Sequence, residues 1–250
     1  MKDRIIALKK TARLAGLLYL LLALAAIYGF FYVSPKIMVS GDTGATARNM
    51  VAHEFLFRSS IASDFITNVL FVAVVLLLYR LLRQVNESLS KLMVALVVVA
   101  IPVALLGGAL NLTAFAIFKS DPGSFQSSQV QFAETLMKLR SYSNQMITIF
   151  WGLWLLPLGL LVYKSVFIPR IFGILLIING FGYIITSLTF ILFPGYLATV
   201  SKFMFPTYFV GELPFIFWLL IAGVRDHLSI TIIAETEAEV KPRKFVEQIE

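Results

Sequence analysis

The sequence predicts an all-α polytopic membrane protein, a bundle of six transmembrane helices with short interfacial helices in its outer loops. Three observations carry that reading. Of the 250 residues, 59% are hydrophobic and only 14% are Asp, Glu, Lys or Arg, whereas a soluble domain carries about 25% charge to keep its surface hydrated. The charges gather in short clusters between long apolar runs. Six of those runs reach the roughly 20 residues needed to cross a hydrocarbon core about 30 Å thick.

The first run is about Leu14–Val33, LAGLLYLLLALAAIYGFFYV. Residues 1–13 are basic and Ala23-Leu24-Ala25 has the form of a signal-peptidase site. The apolar run continues unbroken to Val33, so an uncleaved anchor is expected. The next runs are about Ser59–Leu82, Leu92–Phe118, Met146–Tyr163, Ile171–Phe193 and Met204–Val224. Residues 1–226 read as one transmembrane unit and 227–250 as a short charged tail.

Charge then orients the bundle. Fourteen Lys and Arg residues fall at the N-terminus, in the two short connections and in the tail, against seven on the other side. The positive-inside bias therefore puts both termini in the cytoplasm. The outer loops are long, about Ser34–Arg58 and Lys119–Gln145. In the first, Thr43 or Asp42 is suited to cap a short helix that lays Met50, Val51, Phe55 and Leu56 on the membrane interface. In the second, Asp121-Pro122-Gly123 reads as a turn, and a weak helical period runs through Val130, Ala133 and Met137.

Composition removes several kinds of chemistry. There is no cysteine, which excludes disulfides, thiol catalysis and Cys-based metal sites. Two histidines are too few for a histidine-rich metal site, and His53 with Glu54 lacks the spacing of one. No cofactor is expected. The net charge of +7 comes without a basic stripe interleaved with aromatics, so no nucleic-acid partner is expected either. GxSxG, HExxH, P-loop and dinucleotide motifs are absent, and so is a convincing inverted repeat.

Polar side chains within the apolar runs are the informative positions, because lipid offers them no partner. Asp64 and Asn68 lie four apart on one helix face, Asp64 about 8 Å below the outer end. Asn111 falls in the outer half of the third helix and Asn179 near the middle of the fifth. Glu212 is expected about 12 Å deep in the sixth, with Tyr208 one turn above it. Asn144 and Gln145 stand at the outer mouth of the fourth. Asp64, Asn68, Asn111, Tyr208 and Glu212 thus agree in depth and are expected to line one outer-half site, with Arg58 and His53 at its rim. The competing reading is architectural. Interhelical hydrogen bonds from Asn and Tyr serve packing at roughly 0.6 kcal/mol each, and Asp64 can pair with Arg58 or a neighbouring helix.

The order of these landmarks is also specific. ARLAGLLYL at 12–20, AHEFLFRSSIASD at 52–64, LYRLLRQVN at 78–86, LVYKSVFIPRIFGILLIINGFGY at 161–183 and GELPFIFWLLIAGV at 211–224 together resemble the DUF4386 family. That family comprises small prokaryotic multi-helix membrane proteins of unknown function. The resemblance implies the same architecture in a prokaryotic cell membrane. It matches the family's polar positions at His53, Glu54, Arg58, Asp64 and Glu212 and its IPR turn at Ile168, Pro169 and Arg170, but it implies no reaction. Membrane lipids and a small ligand or ion are the expected partners, and no protein partner is indicated. The leading reading is a small ligand, lipid or ion bound at the polar cluster. The alternatives are an intramembrane enzyme using Asp64 and Glu212 as acid and base on a lipid-like substrate, a proton-coupled carrier, and a structural or accessory envelope protein.

Overall fold

The computed structural model describes residues 2–120 and 128–224. The Asp121-Pro122-Gly123 turn, the basic residues from Arg225 onward and the tail 227–250 lie outside the described residues. Eight α-helices follow in order: α1 (Lys2–Ile27), α2 (Ser34–Ile37), α3 (Thr43–Ala52), α4 (Glu54–Leu82), α5 (Glu87–Ser120), α6 (Ser128–Lys164), α7 (Arg170–Leu192) and α8 (Leu197–Ile221). A π-helical segment, Tyr28–Val33, joins α1 to α2 so that the two run on as one rod. Among the described residues six rods are long and apolar enough to cross a membrane: α1 with α2, then α4, α5, α6, α7 and α8. Helices suit this setting because each satisfies its own backbone where no water is present.

Two expected boundaries are corrected. The outer loop Lys119–Gln145 is largely helix, because α6 starts at Ser128 rather than near Met146. Its first half is too polar for a hydropathy window, yet Val130 and Ala133 are buried and hold it in place. Likewise α8 starts at Leu197, two turns before Met204. In the first outer loop Asp42 is the cap: its Oδ1 accepts the backbone N–H of Ala45 at 2.7 Å. The helix it starts is α3, whose Met50 is buried rather than interfacial, while Phe55 and Leu56 belong to α4.

The six rods form a closed ring. Each packs on its neighbours in sequence, and α8 returns to α1. Glycines set the closest approaches. A Cβ on Gly152 would lie 2.5 Å from the carbonyl oxygen of Gly180, and one on Gly173 would lie 2.6 Å from that of Gly159. The α6 and α7 backbones therefore touch, as small residues permit in membranes. At the α1–α8 closure a Cβ on Gly16 would meet the backbone of Leu220 at 2.5 Å.

Two apolar clusters fill the ring, one toward each end. The basal cluster, at the end with the N-terminus and the short connections, is built from Tyr19, Val75, Leu78, Val97, Trp154, Leu158, Leu176 and Phe215 among others. Trp154 is central to it, meeting Phe71 edge-on at 4.9 Å and Tyr19 at 6.1 Å between ring centroids. The second cluster lies at the loop end, where Val33, Ile37, Met50, Phe57, Phe115, Phe118, Val130 and Ala133 bring the π-helical segment together with α2–α6. Between them lies a layer in which the inward positions are polar or small.

Candidate functional site

Helical periodicity explains how the layer arises. Along α4 the inward stripe steps by three and four through Phe57, Ile61, Asp64, Asn68, Phe71, Val75 and Leu78. Its two ends join the two apolar clusters, so Asp64 and Asn68 fall between them. The corresponding stripe of α6 runs Val130, Ala133, Met137, Arg140, Asn144, Ile147, Trp154 and Leu158, and puts Arg140 at the same level. On α5 the stripe brings Gly107 and Asn111 inward.

Asp64 and Arg140 meet across the ring, although α4 and α6 are not neighbours in it. Arg140 Nη2 donates to Asp64 Oδ2 at 3.5 Å, the long limit of a hydrogen bond. Asp64 keeps 44% of its side-chain surface open and Arg140 24%. Two glycines make room for the pair. A Cβ on Gly107 would lie 2.8 Å from Arg140 Cδ and 2.9 Å from its Nε, so the arginine stem rests directly on the α5 backbone. A Cβ on Gly29 would have only Asp64 Oδ1 nearby, at 3.7 Å. Gly29 belongs to the π-helical segment, a geometry that recurs at functional sites. Arg140 Nε is buried without a hydrogen-bond partner. Asn68 does not reach the carboxylate; its Nδ2 donates to the Asp64 backbone carbonyl at 2.8 Å.

Glu212 belongs to a separate group. Tyr19 of α1 donates its hydroxyl to Oε2, and Asn179 Nδ2 of α7 donates to Oε1 at 2.8 Å. Gly211 leaves the space that Asn179 occupies. Tyr208, one turn toward the loop end, hydrogen-bonds Thr186 at 2.8 Å and stacks on Tyr183 at 4.2 Å. Because α8 begins at Leu197, Glu212 stands about 22 Å along its helix from the start. Asp64 sits beside Gly29 and Glu212 beside Tyr19, ten residues apart along the rod formed by α1 and the π-helical segment, which is about 15 Å along the axis.

The remaining expected residues divide as follows. Arg58 does not pair with Asp64. Its Nε donates to Glu54 at 2.8 Å, and Lys119 donates to the other Glu54 oxygen at 2.7 Å, beside the Phe115 ring. His53 is exposed at the α3–α4 junction, where its backbone N–H bonds Asn49 and its carbonyl accepts from Phe57. Asn111 is half-buried. Among the described residues no three His, Asp or Glu side chains converge as a metal-binding group.

Two partners were not singled out by sequence reasoning, Arg140 and Tyr19. Arg140 lay outside the hydropathy-defined span, although the three-and-four stepping from Val130 reaches it. Tyr19 is one polar tip within an apolar run and carries no signal of its own.

Fold and site define a polytopic α-helical membrane protein whose ring of helices carries polar side chains between two apolar clusters. The profile described as "Domain of unknown function (DUF4386)" matches residues 14–223, and the chain belongs to the DUF4386 family. It is 34% identical over 166 residues to an uncharacterized protein of the archaeon Archaeoglobus fulgidus, a match covering 66% of this chain and 83% of that protein. No solved structure matches.

Proposed function

We propose that the protein binds a small polar ligand in the layer between its apolar clusters, with Asp64 and Arg140 as the residues that meet it. The observation that carries this reading is the cross-ring contact itself. A charge pair serving only to fasten α4 to α6 would be expected to close to the 2.7–2.9 Å of a charge-assisted hydrogen bond. Here the two charges stop at 3.5 Å, partly open, with glycines around them. The loop end is read as facing outward, since basic residues favour the opposite side fourteen to seven.

The alternatives have less support. Acid–base catalysis by Asp64 and Glu212 on one bond needs both groups within hydrogen-bond reach of the reacting atoms, and the positions they lie beside, Gly29 and Tyr19, are about 15 Å apart along their rod. A carrier must part each apolar cluster in turn, while backbone contact ties α6 to α7 in the basal half.

Native mass spectrometry of protein released from its own membrane tests the proposal, with Asp64→Asn, Arg140→Gln and Glu212→Gln compared. A discrete bound mass is expected in the wild type and in Glu212→Gln, and is lost from the other two. No specific mass, or one indifferent to both Asp64 and Arg140, would refute ligand binding at this pair and leave an architectural role.

A further inference from the structure

The chemical class of the ligand follows from the charges that would meet it, an inference resting on the binding reading above. A guanidinium has five N–H donors, and among the described residues Asp64 is Arg140's one acceptor, at 3.5 Å. Nε is sealed against Gly107, so the η amino groups are what the guanidinium presents to the layer. The Asp64 carboxylate in turn has Arg140 as its one side-chain donor among the described residues. Nearby charges are engaged elsewhere: Glu54 holds both Arg58 and Lys119.

The pair therefore sums to zero charge at a level flanked by the two apolar clusters, with Asp64 itself partly open. An anion seated on Arg140 would leave the Asp64 carboxylate uncompensated beside it, and a cation on Asp64 would do the same to Arg140. Uncompensated charge is disfavoured beside a partly buried partner such as Arg140. A ligand carrying both signs meets both groups and leaves no surplus.

Depth narrows the class. Tyr142 and Tyr163 are exposed on α6, as interfacial aromatics are. Their 21-residue separation spans about 31 Å, close to one hydrocarbon thickness. Arg140, two residues beyond Tyr142, thus lies at the level of phospholipid head groups, where phosphate is the abundant oxyanion. We infer that Asp64 and Arg140 bind a phosphate–ammonium zwitterion, its phosphate on the η nitrogens of Arg140 and its ammonium on Asp64. The same chemistry comes from an ethanolamine phospholipid head group or from a free phosphoethanolamine ester.

Native mass spectrometry of the delipidated full chain, titrated with phosphatidylethanolamine or phosphatidylglycerol, tests this, since the two share the phosphate and differ in the ammonium. The wild type is expected to retain the ethanolamine lipid about ten-fold better. Asp64→Asn brings the ratio near one, and Arg140→Lys, which keeps the charge but loses the planar fork, weakens both. Competition by free glycerophosphoethanolamine assigns the soluble source, and failure to compete assigns the lipid. Equal retention of the two lipids by the wild type overturns the zwitterion while leaving Arg140-dependent binding intact. A preference that survives Asp64→Asn, or no adduct from any of the three compounds while the native bound mass persists, overturns it as well.

Discussion

Replacing Gly107 with alanine changes the Asp64–Arg140 pair without touching either charge. The new Cβ would lie 2.8 Å from Arg140 Cδ and 2.9 Å from Nε, where ordinary contact begins at 3.4 Å. The arginine stem must retreat by about 0.6 Å, and it is free to do so because it is a side chain rather than backbone. A contact already at 3.5 Å is the one that changes. The helix gains up to about 1 kcal/mol from Gly→Ala, so the single variant is expected within about 1 kcal/mol of wild type. The informative quantity is the coupling with Asp64→Asn in a double-mutant cycle, measured by detergent-induced unfolding of the purified protein. It is expected near 1 kcal/mol, between the average of about 0.6 and the maximum of about 1.7 kcal/mol seen for polar contacts between membrane helices. Gly108→Ala is the control, because its Cβ would meet Ile61 at an ordinary 3.7 Å. If Gly107→Ala and Asp64→Asn add within about 0.3 kcal/mol, Gly107 does not position the pair and the reasoning fails.

Two further outcomes are expected. Tyr19→Phe and Asn179→Ala each remove a donor to Glu212 and should destabilise the bundle by about 1 kcal/mol apiece; a native-like unfolding curve for both would show that this trio does not hold α1, α7 and α8 together. The chain has no cysteine, so Phe55→Cys at the loop end and Gln84→Cys at the basal end, both exposed, report orientation directly. A membrane-impermeant maleimide added to intact cells should label the first and not the second, and the reverse pattern would invert the topology.

Much of the architecture was legible in the sequence because lipid imposes a simple length and polarity rule on every crossing. All six rods are found where the apolar runs lie, and the Asp42 cap needed only local backbone chemistry. The start of α6 was not legible, since its loop-end turns are polar and are held by the packing of Val130 and Ala133 rather than by transfer from water. The candidate site divides along the same line. Sequence alone singles out Asp64 and Glu212, because an acidic residue in an apolar run is anomalous wherever the helix sits. Their partners were decided by tertiary structure. Arg140 reaches Asp64, Tyr19 and Asn179 reach Glu212, and Arg58 turns to Glu54. Helical periodicity fixes which side chains share a face. Which faces meet across the ring, and at what relative depth, depends on where glycines let the backbones close, a property of helix pairs that no single helix contains.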